Sequence, residues 1–170
     1  LGRPAEQFRA FARKNGVRLL GPNSIGLIDT HAPIDTTFLS PPGPTPGDIA
    51  FISHSGAICS AVIDWARGQG FGLSRLVSLG NQSDVTEADM LAPVAEDPYT
   101  RVIALYLEGV KDGRHFLEQA QSVSRDKPIV ALKVGRSEVG MKAASSHTAS
   151  LTGSDAVADA FFRQKGIIRV

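Results

Sequence analysis

The sequence is short of several things, and each shortage excludes a class of protein. Its one cysteine, Cys59, allows no internal disulfide and no thiolate cluster, which suits a reducing cytosol. Four histidines occur, His31, His54, His115 and His147, with no HxxxH or similar spacing, so no metal site is expected. No apolar run approaches the ~20 residues of a membrane helix, and a membrane role is not expected. Lys plus Arg exceed Asp plus Glu by one, for a net charge of +1, and the basic residues are scattered. That balance argues against a nucleic-acid surface. An initiator Met and a signal peptide are also missing, and both ends look trimmed. The expectation is a piece of a longer, cytoplasmic polypeptide.

What is present fits one α/β domain with a little left over: 170 residues, 42% of them hydrophobic. Residues 4–15 place Phe8 and Phe11/Ala12 at helical spacing behind Pro4, and Gly16 ends that pattern. VRLLG then reads as a short strand. The stretch PPGPTP, Pro41 to Pro46, is extended and semi-rigid. We therefore divide the chain into residues 1–40, the last helix and strand of a preceding domain, a linker at 41–47, and a main domain at 48–170.

In the main domain, apolar strands alternate with helices. The strands are IAFIS near 49–53, SRLVSL at 74–79, VIALYLE at 102–108, PIVALKV at 128–134 and IIRV at 167–170. The helices fall near 56–68, 86–96, 113–124 and 154–165. Continuous apolar strands separated by helices indicate a parallel sheet covered on both faces. Right-handed crossovers make this a three-layer, doubly wound, flavodoxin-like fold of about five strands, in the order 2-1-3-4-5.

Polar residues gather after the strands, in SHSGA (53–57), GNQSD (80–84), EGVKDG (108–113) and the long segment from Gly135 to Asp155. In such a sheet, ligands bind at the carboxyl ends of the strands. Ser53, Ser55, Gly56 and Ala57 join a strand to a helix. They read either as a helix cap or as an anion site, where free N–H groups and the helix dipole meet a phosphate. Glu108 is either a rim residue facing a ligand or an ordinary strand end; Asn81 and Asp84 carry the same ambiguity, since GNQSD could simply be a turn with an N-cap. The loop from Ala144 to Ser150 surrounds one imidazole, His147, with small and hydroxyl residues. Walker A and G-x-S-x-G patterns are absent.

The string SHTASLTGSDAV resembles the active-site histidine loop of ADP-forming acyl-CoA synthetases of the acetate–CoA ligase type, relatives of the succinyl-CoA synthetase α subunits. GPNSIG (21–26), ISHSGA (52–57), SLGNQSDV (78–85), ALYLEGVKDGR (104–114) and PIVALKVGRS (128–137) resemble the same family in the same order, over essentially the whole chain. One departure is Ala149, where many members have Gly; it removes no functional group.

The resemblance implies the reaction acyl-CoA + ADP + phosphate ⇌ acid + CoA + ATP, through an acyl phosphate and a phosphohistidine. His147 would carry the phosphoryl group, Glu108 would bond its other ring nitrogen, and Ser53, Ser55, Gly56 and Ala57 would hold phosphate. Asn81, Lys133, Arg136 and Thr148 would support the site, and Asn23 would lie near the thiol end of CoA. CoA or acyl-CoA and inorganic phosphate would bind here, while ATP/ADP and Mg²⁺ would enter through a separate ATP-grasp domain or subunit. A CoA-binding domain would precede this piece, a small acyl substrate would be shared between modules, and the full protein would be an oligomer. The alternative implied is a non-catalytic CoA-sensing domain fused to an acetyltransferase, which would not need His147. A flavin-binding domain is the weakest reading, since aromatics make up only 6% of the chain.

Overall fold

The computed structural model describes residues 3–135 and 155–170. Helix α1 (Arg3–Lys14) comes first, followed by two short strands, β1 (Leu27–Asp29) and β2 (Ile34–Asp35). A βα series then runs β3 (Pro46–Ser53), α2 (Gly56–Gln69), β4 (Leu73–Ser78), α3 (Glu87–Ala95), β5 (Val102–Leu107) and α4 (Gly113–Val123). It ends with β6 (Ile129–Lys133), α5 (Asp155–Gln164) and β7 (Ile167–Arg169).

Among the described residues the sheet has seven strands, in the order β2-β1-β4-β3-β5-β6-β7. Its five parallel strands follow the expected 2-1-3-4-5 order, while β1 is antiparallel to both β4 and β2. β1 and β2 come from the stretch assigned by sequence to a preceding domain, and they extend this sheet. The two-strand extension was not legible because its strands are only three and two residues long.

Helices cover both faces. On one, Cys59 and Ile63 of α2 pack with Ile28, Phe51, Leu73 and Leu76. On the other, α3 contributes Leu91 and Val94, α4 contributes Phe116 and Ala120, and α5 contributes Phe162. The Phe116 and Phe162 rings meet edge to face at 6.2 Å, which fixes α4 against α5. β5 alternates half-buried and buried positions, with Ile103, Leu105 and Leu107 pointing into this second core.

Two local expectations need correction. VRLLG forms no strand; Leu19 instead binds the loop after β4, accepting from Val85 N–H at 3.1 Å. Pro46 and Gly47, placed in the linker, open β3. Of Phe8, Phe11 and Ala12 on α1, Ala12 is buried, while Phe8 and Phe11 are exposed. The helix is held through its arginines instead: Arg9 donates to the Ser83 carbonyl and Arg13 to the Asp84 carboxylate.

Candidate functional site at the carboxyl ends of the strands

The strands that carry the polar motifs end level with one another. Ser53 is in register with Ser78 and Tyr106, and Leu107 with Lys133. Residues from four separated motifs therefore share one rim.

At the end of β3, Ser53 is fully buried and its hydroxyl works as a clip. It donates to the Ser55 carbonyl at 2.9 Å and accepts the Ser55 N–H at 3.0 Å. Ser55 caps α2, its hydroxyl accepting from Ile58 N–H at 3.4 Å. Over Gly56 lies the side chain of Ile25, whose γ-methyl would be 2.7 Å from an added Cβ. Glycine is required there by protein packing, whatever else approaches. Ala57 is exposed beside it.

The GPNSIG and SLGNQSDV motifs, over fifty residues apart, lie side by side. Asn81 N–H donates to the Pro22 carbonyl at 2.8 Å, and Ser83 N–H to the Gly21 carbonyl at 2.9 Å. Ser24 Oγ donates to the Ser78 carbonyl at 2.6 Å. The exposed side chains of Asn23 and Asn81 face each other, with Nδ2 of Asn23 3.5 Å from Oδ1 of Asn81. Asn23 holds a left-handed backbone, φ 58°, and Gly80 at φ 56° packs on the main chain of residues 22–23.

Asp84 anchors this pairing. Its carboxylate accepts from Leu19 N–H at 2.9 Å, from Arg18 Nε at 2.9 Å and from Arg13 Nε at 2.7 Å. Burial alone would raise its pKa, but the Leu19 N–H and the two guanidiniums outweigh it and bring the value down to about 2. Asp84 is thus a structural anchor, a role the turn reading of GNQSD did not anticipate.

Glu108 follows β5 directly and is half-buried. Its backbone N–H donates to Nδ1 of His54 at 3.1 Å. Burial and the negative charge of Glu108 both raise the pKa of the neighbouring Tyr106 phenol. From the next loop, Lys111 Nζ donates to the carbonyls of Asn81 and Gln82 at 2.7 and 2.9 Å, which ties the ends of β4 and β5 together. Burial lowers the Lys111 pKa, and the charge on Glu87 opposes that.

Lys133, at the end of β6, is buried, and its Nζ donates to the Val134 carbonyl at 3.3 Å. Burial lowers its pKa against the raising influence of Asp155. With Val110, Arg114, Phe116 and Phe161 it lines a cavity of about 570 Å³ between α4 and α5. Arg136, His147 and Thr148 lie outside the described residues. Among the described residues, no group of three His, Cys, Asp or Glu side chains gathers as a metal set. Also among them, no helix is long and apolar enough to cross a membrane.

The rim therefore brings together Ser53, Ser55, Gly56, Ala57 and Glu108, with Asn23 and Asn81 paired alongside and Lys133 at the end of the next strand. The sequence reading missed His54 and Glu87, both buried in this region. The available signal was a histidine between two serines at a strand end, in a motif read only for its hydroxyls.

A family described as the succinyl-CoA ligase like flavodoxin domain matches residues 46–170. The chain is 49% identical, over 167 residues, to the acetate–CoA ligase [ADP-forming] I subunit alpha of Pyrococcus furiosus. The match covers 96% of this chain and 35% of that protein. It is 49% identical over 157 residues to acetate–CoA ligase [ADP-forming] I of Archaeoglobus fulgidus, covering 92% of this chain and 23% of that one. Among solved structures, the Ca. Korarchaeum cryptofilum dinucleotide forming acetyl-coenzyme A synthetase 1, in complex with phosphate and ADP, superposes with a TM-score of 0.92 at 40% identity. That likeness covers 98% of this chain and 36% of the other. The chain thus spans about a third or less of the length of each of these proteins. With its sheet order, its rim and these likenesses in agreement, the chain belongs to the succinyl-CoA-ligase-like flavodoxin domain family.

Proposed function

We propose that this chain is the phosphohistidine-carrying part of an ADP-forming acyl-CoA synthetase, with His147 as the carrier. The acid released would be a small carboxylic acid, acetate in the relatives at 49% identity. The observation that carries this reading is the placement of Glu108 at the end of β5, level with the Ser53–Ala57 turn, in a chain so similar to acetate–CoA ligases.

The chemistry suits these groups. A neutral imidazole nitrogen attacks the phosphorus of an acyl phosphate, the acyl C–O–P bond breaks at phosphorus, and the carboxylate leaves. The ring becomes cationic as the N–P bond forms, and the Glu108 carboxylate stabilises that charge and holds the other ring nitrogen. The amide N–H groups at the start of α2 and the Lys133 ammonium offset the phosphoryl charge, with Arg136 and Thr148 assisting from the His147 segment. Phosphoryl transfer depends mainly on such positioning and charge stabilisation. Asn23 would meet the thiol end of CoA, with Asn81 supporting it from the facing loop. A CoA-binding domain and an ATP-grasp module complete the reaction in the whole cytoplasmic oligomer, and Mg²⁺ belongs with the nucleotide on the latter.

The test is direct. The full-length protein, given γ-labelled ATP and Mg²⁺, should acquire an acid-labile, alkali-stable phosphoryl group that His147→Asn abolishes. Label that survives this substitution, or that is acid-stable, overturns the proposal.

A further inference from the structure

His54 and Glu87 take no part in the chemistry above, yet they form a buried pair directly beneath it. His54 is 7% exposed and Glu87 is 1% exposed. The Nε2 atom of His54 lies 3.2 Å from Oε2 of Glu87. On the other side of the ring, Nδ1 accepts the Glu108 backbone N–H.

These two contacts settle the tautomer. A backbone N–H can only donate, so Nδ1 carries no proton and must present its lone pair. The ring proton is therefore on Nε2, where it points at the Glu87 carboxylate. The main chain adds a further tie, because His54 N–H donates to the Tyr106 carbonyl at 3.1 Å. His54 thus grips β5 at Tyr106 and again at Glu108.

Packing alone does not account for this arrangement. A buried carboxylate is costly, and an apolar pair of similar volume would fill the space at least as well. What an apolar pair could not supply is an acceptor of defined direction for the Glu108 N–H at the point where β5 ends. Without it, the peptide that sets the direction of the Glu108 side chain would lose its fixed partner.

We infer that His54 and Glu87 are positioning residues for Glu108. Glu87 holds the His54 ring in the Nε2–H tautomer, and Nδ1 in turn holds the Glu108 backbone so that its carboxylate is presented to the carrier histidine. This rests on the reading of Glu108 and His147 given above. Because Lys111 also senses the charge on Glu87 and binds the carbonyls of Asn81 and Gln82, the same pair is linked to the loop after β4.

Two substitutions at position 54 separate positioning from bulk. In His54→Asn the amide oxygen falls near Nδ1 and can still accept the Glu108 N–H, while the link to Glu87 is lost. In His54→Gln the amide reaches toward Glu87 and the Nδ1 acceptor is lost. Rapid-quench labelling of the full-length protein should show the single-turnover rate of histidine phosphorylation falling about tenfold or more in His54→Gln. It should stay within about threefold of wild type in His54→Asn, with KM for the acyl and nucleotide substrates unchanged in both. Nitrogen NMR of the ¹⁵N-histidine-labelled full-length protein should show His54 as the Nε2–H tautomer.

Equal rates in the two variants, a slower His54→Asn, rates that merely follow thermal midpoints, or a protonated Nδ1 would each overturn the inference. If wild type takes up no acid-labile label, it is the phosphohistidine reading that fails, and the NMR result still decides whether the tautomer is as inferred.

Discussion

The Asp84 carboxylate accepts the backbone N–H of Leu19 across 65 residues of chain, at 2.9 Å, while Arg13 and Arg18 close on the same two oxygens. This contact ties the N-terminal segment to the rim, beside the pairing of β1 with β4.

Asp84 makes stability depend on acidity in a definite direction. Its pKa in the folded chain is about 2, against an ordinary 3.8. A carboxylate depressed in this way stabilises the fold above its unfolded pKa, and the contribution disappears as pH falls through the folded value. The shift corresponds to about 2 kcal/mol. Asp84→Asn should therefore lower the unfolding free energy by about 2 kcal/mol at pH 7, since the half-exposed arginines can regain water. Urea titrations should show this gap closing between about pH 4 and pH 2. A gap that is constant with pH would assign the loss to packing.

Gly80 is expected to be intolerant of even one methyl group. At φ 56°, an added Cβ would fall on the carbonyl oxygens of Pro22 and Asn23. Gly80→Ala should cost about 3 kcal/mol, from left-handed strain together with displacement of the paired segment. Gly68, inside α2 with nothing near an added Cβ, is the matched control. Gly68→Ala should stabilise by about 0.5–1 kcal/mol. Thermal or chemical denaturation of the two variants checks both signs.

Cys59 should be chemically silent in the folded protein. Burial pushes its thiol up to about 12, although hydrogen bonds involving Ser53 and Ser78 pull the other way. Very little thiolate exists near pH 8, and the sulfur is fully covered. A thiol-reactive disulfide reagent should react with it only on denaturation. Stoichiometric reaction under native conditions would contradict this burial.

Glu108→Gln should separate chemistry from folding. Among the described residues the Glu108 carboxylate forms no hydrogen bond, whereas its backbone N–H is retained by any substitution. The thermal midpoint should stay within about 2 °C of wild type. The rate of histidine phosphorylation in the full-length protein should fall at least about tenfold. A large drop in midpoint, or an unchanged rate, would remove Glu108 from the proposed role.

Much of the fold was legible because it depends on short-range pattern. Apolar runs such as VIALYL, bounded by capped helices, predicted each parallel strand to within a few residues, and Asp112 and Ser55 cap their helices as N-cap residues do. Residues 17–20 look like a strand by the same rule and are not one. Val17 N–H bonds back to the Ala12 carbonyl of α1, and Leu19 bonds the loop after β4, at a separation no local pattern records. The helix expected at 4–15 is α1, and Arg9 and Arg13 tie it to the same loop.

The sequence by itself determined that this is a doubly wound α/β domain with its polar motifs at the carboxyl ends of the strands, because side-chain periodicity and helix capping act over a few residues. It also carried the family likeness, in six motifs in order. Only the tertiary structure decided which of those motifs touch. It set Asn23 against Asn81, made Asp84 an anchor, and turned His54 from one residue of a serine-rich turn into the acceptor for the Glu108 backbone. The physical reason is that hydrogen-bond direction and burial arise from chain segments tens of residues apart. No spacing along the chain encodes whether a ring nitrogen will face a carboxylate or a peptide N–H.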